Sequence, residues 1–127
     1  MELTITLSGN PQNPDVTLGK EKRKAIELYA RGPLMAFLIS IPHCIYLAST
    51  QLAESKKEDA ELKVVARYKL DPIAMFAGNY VFERIVVEIC AAKCDEEFAK
   101  WIAEGVKENC PIYQSMKEKM EIVYEVE

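Results

Sequence analysis

Histidine is nearly absent from this chain: His43 is its one copy among 127 residues. Cys90 and Cys94, four apart in CAAKC, therefore have no imidazole nearby, and two local thiols are too few for a closed zinc site. No metal is expected. Basic charge is also short, since 16 lysines and arginines face 20 aspartates and glutamates. A net charge of −4 offers no concentrated basic face for phosphates, so no nucleic-acid partner is expected. The basic cluster at residues 20–24 is brief, contains Glu21, and reads as a solvated segment. The opening MELTITLSG has neither a basic leader nor a long apolar run and does not read as a secretory signal. A cytoplasmic protein is expected, in which four cysteines stay free or redox-active instead of building a disulfide framework. A run long enough for a membrane is missing too. The most apolar stretch, residues 32–48, falls short of the roughly 20 residues that span a bilayer and is interrupted by Ser40, Pro42 and His43.

Half of the residues are hydrophobic, enough for one domain over 1–127 with a real core. The stretch at 32–48 reads as its buried central helix. Pro42 cannot donate to the carbonyl of Leu38 and its ring crowds that turn, which predicts a kink or break there. Cys44 would then open a second helical segment, where free amides and the helix dipole favour a thiolate. The bland alternative is a buried cysteine acting as a small hydrophobe.

Leu3, Ile5 and Leu7 alternate with polar residues, the period-two pattern of a strand with one buried face. A loop rich in Gly, Asn and Pro comes next over 8–15, then a short strand at 16–18 and another at 25–30. After a charged connection at 54–59, Leu62, Val64, Ala66, Tyr68 and Leu70 make the clearest strand of the sequence. Asp71-Pro72 begins a loop running through Gly78 and Asn79, and residues 80–90 form the next strand, paired antiparallel. Asp95 is a good N-cap for a helix whose Phe98, Trp101, Ile102, Gly105 and Val106 share one face. Pro111 ends that helix near Asn109 and opens another segment over 112–119, with Cys110 as its N-cap. Ile122, Tyr124 and Val126 make a last strand. The order predicts an α+β domain of antiparallel sheets around a long buried central helix.

Cys44 and Cys110 thus both fall at expected helix starts. If the two segments pack together, one thiolate could attack and the other resolve. Here the chain resembles the OsmC/Ohr proteins (osmotically inducible protein C and organic hydroperoxide resistance protein). The likeness rests on a Pro-led apolar helix carrying a cysteine, Pro33 to Cys44, on Cys110-Pro111-Ile112, and on the strands between and after them, from Gly32 onward. It implies an intertwined homodimer with the cysteines near the subunit interface, Cys44 attacking an organic hydroperoxide and Cys110 resolving. An external dithiol would be the reductant, and no organic cofactor is needed. The family's acidic residue just after the helix-opening proline is replaced by Leu34 and Met35, and Pro42 is not part of its motif. The family's active-site arginine comes from the N-terminal region, where Arg23 and Arg31 are the candidates and Arg31, next to the helix, is preferred. His43 points about 100° away from Cys44 on a helix and makes a poor base for it; a hydrogen-bond partner at an interface is its expected role. Cys90 and Cys94 read as structural or incidental thiols. The expected function is a stress-response oxidoreductase, a cysteine peroxidase. The alternative is a non-peroxidatic relative binding an apolar ligand or handling another sulfur species.

Overall fold

Alternation of apolar and polar residues places six strands edge to edge. The computed structural model describes residues 2–79 and 81–127. Its strands β1 (Glu2–Ser8), β2 (Asp15–Leu18), β3 (Glu21–Lys24), β4 (Glu61–Leu70), β5 (Phe82–Ala92) and β6 (Met120–Val126) form one sheet in the order β3-β2-β1-β4-β5-β6. Among the described residues, five helices complete the fold: α1 (Ala25–Tyr29), α2 (Pro33–Ser55), α3 (Pro72–Phe76), α4 (Glu96–Asn109) and α5 (Pro111–Met116).

Ile5, Leu7, Val64, Ala66, Tyr68, Ile85, Val87, Ile89 and Ile122 all occupy one pleat face and are buried against the helices. On that face lie α2, which buries Leu38, Ile39, Ile41, Ile45 and Tyr46, and α4, which buries Ile102, Ala103 and Val106. By length and composition α2 would be long enough to cross a membrane. In this fold it is the core helix the sequence predicts.

The sheet is single and mixed where antiparallel sheets are predicted. Every neighbouring pair is antiparallel except β5 and β6, which run parallel with Ile85 opposite Met120. Parallel neighbours require a crossover, and α4 with α5 supplies it on the core face. The strand predicted at 25–30 is instead α1. Ala25 and Leu28, at helical spacing, are its two buried residues, and the Asn13 side chain accepts from the Ile26 amide at 3.1 Å to cap the turn. The charged edge strand is β3, inside the cluster read as a solvated segment; a charged edge resists pairing with other chains. The loop predicted after Asp71 contains α3, because the Asp71 carboxylate accepts from the amides of Ile73 and Ala74 while Pro72 starts the turn. Tyr80, placed in the next strand by its sequence, lies outside the described residues. The last helix ends at Met116, short of the predicted Lys119, whose carbonyl accepts from Ile85 at 2.8 Å.

Pro42 does not break α2, which runs unbroken for 23 residues. Pro42 leaves the Leu38 carbonyl without a helical donor, and the hydroxyl of Tyr68 on β4 donates to that carbonyl. The chain repairs its own helix from the sheet.

Candidate functional site

Two contacts set how α2 and α4 meet. Gly105 faces Leu52 so closely that a Cβ there would lie 2.8 Å from Leu52 Cδ1. One turn further along α2 and one turn back along α4, Lys56 Nζ sits 4.4 Å from the Trp101 ring centre. Going back along α2 from Lys56 to Leu52 thus corresponds to going forward along α4 from Trp101 to Gly105, so the helices lie antiparallel. Further in that sense, Cys44 comes down to meet Cys110, which succeeds α4.

The two sulfurs are 3.5 Å apart, 66 residues distant in sequence. Both are reduced, and a disulfide at about 2.05 Å would need a further approach of about 1.5 Å. Cys110 is buried and held on both sides: its amide donates to Val106 O at 2.8 Å, and its carbonyl accepts from Gln114 at 3.0 Å. Pro111 forces it into an extended conformation, φ −89° and ψ 112°, which makes it the predicted N-cap of α5.

Cys44 differs from expectation. With α2 continuous, it lies mid-helix and not in a first turn, so no free amides stabilise its thiolate. Burial, then the neighbouring Cys110 thiol, pushes the Cys44 thiol up to about 11. Arg31 does not lower it within the chain. Cys44 is eleven residues past Pro33, about 16 Å along the axis, and Arg31 on the near side of that helix pairs with Glu21. Arg23 also pairs with Glu21, at 3.2 Å. Leu34 is exposed and Met35 packs on the core, so the start of α2 presents no carboxylate.

His43 finds its partners inside the chain. Its Nε2 lies 2.7 Å from Pro11 O, a pure acceptor, so that nitrogen carries the proton, and the Tyr29 hydroxyl donates to Nδ1 at 2.7 Å. Burial, then the Cys44 thiol, raises the Tyr29 phenol above its usual value. Sequence reasoning missed Tyr29, because the link between α1 and α2 is a tertiary contact.

Cys90 faces away from the helices. Its thiol, pushed up by burial and by Glu88 to about 12, donates to Glu88 Oε1 at 3.5 Å. Glu88, Cys90 and Glu125 bring their ligand atoms within 4.8 Å of one another. Arg67 already holds the same Glu88 oxygen at 3.3 Å, which makes this trio a poor cation cradle. Cys94 stands apart, half-exposed, in the bend before α4.

No protein-family model matches the sequence, and no curated protein matches it. Solved structures do match the fold. A hypothetical protein from Aquifex aeolicus VF5 aligns over 100% of this chain and 96% of its own at 13% identity and a TM-score of 0.60. An organic hydroperoxide resistance protein from Elizabethkingia anophelis, with crystallant-derived thiocyanate bound, covers 96% of this chain and 94% of its own at 18% identity and a TM-score of 0.58. An OsmC-like hydroperoxide resistance protein from Jannaschia sp. CCS1 covers 91% and 87% at 17% identity and a TM-score of 0.57. The likeness extends through the N-terminal strands as well as the region from Gly32 onward. Low identity carries architecture and nothing finer: this chain has the OsmC/Ohr fold.

Proposed function

We propose that this protein is a thiol-dependent peroxidase that reduces organic hydroperoxides through Cys44 and Cys110. The observation that carries the reading is the 3.5 Å separation of two reduced sulfurs, one half-buried in α2 and one buried at the end of α4. The Cys44 thiolate attacks the terminal oxygen of the hydroperoxide, an S–O bond forms, the O–O bond breaks, and the alkoxide leaves as the alcohol after taking a proton. Cys110 then attacks the Cys44 sulfenic acid, forming the disulfide and releasing water. An external dithiol reduces the disulfide and is itself oxidised, restoring both thiols. The cytoplasm would supply that dithiol. A homodimer belongs to the same reading: Leu34 and Phe37 on α2, with Ile73 and Phe76 on α3, are exposed and apolar, surface that a second copy could cover.

A second reading is favoured by the raised Cys44 thiol and by Arg31 being held at Glu21. In it the protein is non-peroxidatic and binds an apolar ligand or handles another sulfur species. Turnover of several organic hydroperoxides with a dithiol separates the two, using wild type, Cys44→Ser, Cys110→Ser and Arg31→Ala. Turnover lost with Cys44→Ser supports the peroxidase. Its absence in wild type selects the second reading, and full turnover in Arg31→Ala removes Arg31 from the site.

A further inference from the structure

Pro42 stands two residues before Cys44, inside a helix that nevertheless continues. A proline there removes the hydrogen bond to the carbonyl four residues back and pushes that carbonyl aside, so the helix is free to bend at this point. The carbonyl is that of Leu38. It is buried, Leu38 being 6% exposed, and Tyr68, whose hydroxyl donates to it, is 0% exposed. Water therefore has little access to replace the hydroxyl.

Tyr68 comes from a rigid part of the fold. It lies in β4, opposite Leu3 on one neighbouring strand and Ile85 on the other, and its ring packs against Phe82 at 5.3 Å. Phe82 in turn stacks on Phe37 of α2 at 6.0 Å. The sheet thus grips α2 on the N-terminal side of the proline, at the carbonyl the proline leaves free. Cys44 rides on the other side of the proline, while Cys110 is anchored independently by the end of α4.

We infer that Tyr68 is a positioning residue for the thiol pair: its hydroxyl, by holding the Leu38 carbonyl, fixes the path of α2 through Pro42 and so keeps Cys44 within reach of Cys110. The inference rests on the proposed redox cycle of Cys44 and Cys110. It makes Pro42 and Tyr68 a coupled pair, because the hydroxyl is needed only where the backbone donor is missing. A residue with an N–H at position 42 would satisfy Leu38 from within the helix.

The test is a double-mutant cycle of Tyr68→Phe and Pro42→Ala, read by equilibrating each protein with a glutathione and glutathione disulfide buffer. Glutathione disulfide accepts two electrons from the protein dithiol and is released as two glutathione thiols, so the Cys44–Cys110 oxidation constant is measured without any hydroperoxide. Tyr68→Phe is expected to lower that constant about three- to tenfold when Pro42 is present, the size of one net hydrogen bond. In the Pro42→Ala background the same change is expected to fall to roughly the experimental error, below about twofold. An equal effect in both backgrounds, or none with Pro42 present, overturns the inference. Should Tyr68→Phe alone not fold, a folded double variant with the oxidation constant of Pro42→Ala supports it, and a double variant that also fails to fold overturns it. A wild-type protein that forms no Cys44–Cys110 disulfide in any buffer overturns the redox cycle itself, a result distinct from failure of the coupling. Thermal unfolding of each reduced variant separates the redox effect from a general loss of stability.

Discussion

Closing the Cys44–Cys110 disulfide joins positions 66 residues apart and should raise thermal stability by a predictable amount. A cross-link of that span removes roughly 15 cal/mol/K of entropy from the unfolded chain, about 4 kcal/mol at 25 °C. Native-state strain subtracts from this, because the sulfurs must move from 3.5 Å to about 2.05 Å. A net gain of about 2–4 kcal/mol is expected. With unfolding entropy near 2.1 cal/mol/K per residue over 127 residues, that corresponds to a rise in Tm of about 7–15 °C. Circular dichroism melts of reduced and oxidised protein measure it, with the disulfide mapped by mass spectrometry and Cys90 and Cys94 replaced by serine to prevent mispairing. A mapped Cys44–Cys110 disulfide that lowers Tm, or leaves it unchanged, would refute the reasoning. Closure would then cost the native state as much as it constrains the unfolded one, and the thiols would not be poised for it.

The raised Cys44 thiol predicts slow chemistry at neutral pH. Site-resolved alkylation of Cys44 by iodoacetamide should climb about tenfold per pH unit above pH 7, without levelling off until the pH nears about 11; a plateau by about pH 8.5 would contradict burial as the cause. The folded state keeps the Cys44 proton that the unfolded state releases near 9.0, so this contribution to stability is full below that pH and is lost as the pH rises toward about 11. Gly105→Leu should destabilise the protein by about 1–3 kcal/mol, since even a Cβ would meet Leu52 at 2.8 Å. It should also slow disulfide closure, because α4 carries Cys110 to its place; chemical denaturation and closure kinetics check the two effects.

Much of the fold is legible in short stretches of sequence. Alternation in β1 and β4, the Asp95 cap that accepts from the Phe98 amide at 2.8 Å, and the stop at Pro111 each depend on neighbours a few residues away. The α+β class comes from their order. Ala25–Tyr29 is less legible, because five residues fit a strand or a turn of helix, and the choice falls to Asn13, twelve residues upstream, as the cap. The parallel β5–β6 pair is likewise decided by how α4 and α5 cross the core face, which no local pattern encodes.

The site divides along the same line. The sequence by itself marked the two thiols that the fold brings together: a cysteine in the most apolar helix, and another fixed as an N-cap by the proline after it. It also determined that Pro42 would leave the Leu38 carbonyl without a helical donor. Only the tertiary structure decided how that carbonyl is satisfied. Tyr68, brought from the sheet, supplies the missing donor, so α2 stays continuous and Cys44 becomes a half-buried mid-helix thiol with a raised proton affinity in place of an activated helix start. The contact of Gly105 with Leu52 then brings Cys44 and Cys110 together. Propensity and periodicity act between near neighbours in the chain, whereas a hydrogen-bond donor or a second sulfur arriving from a distant segment depends on how the finished elements pack.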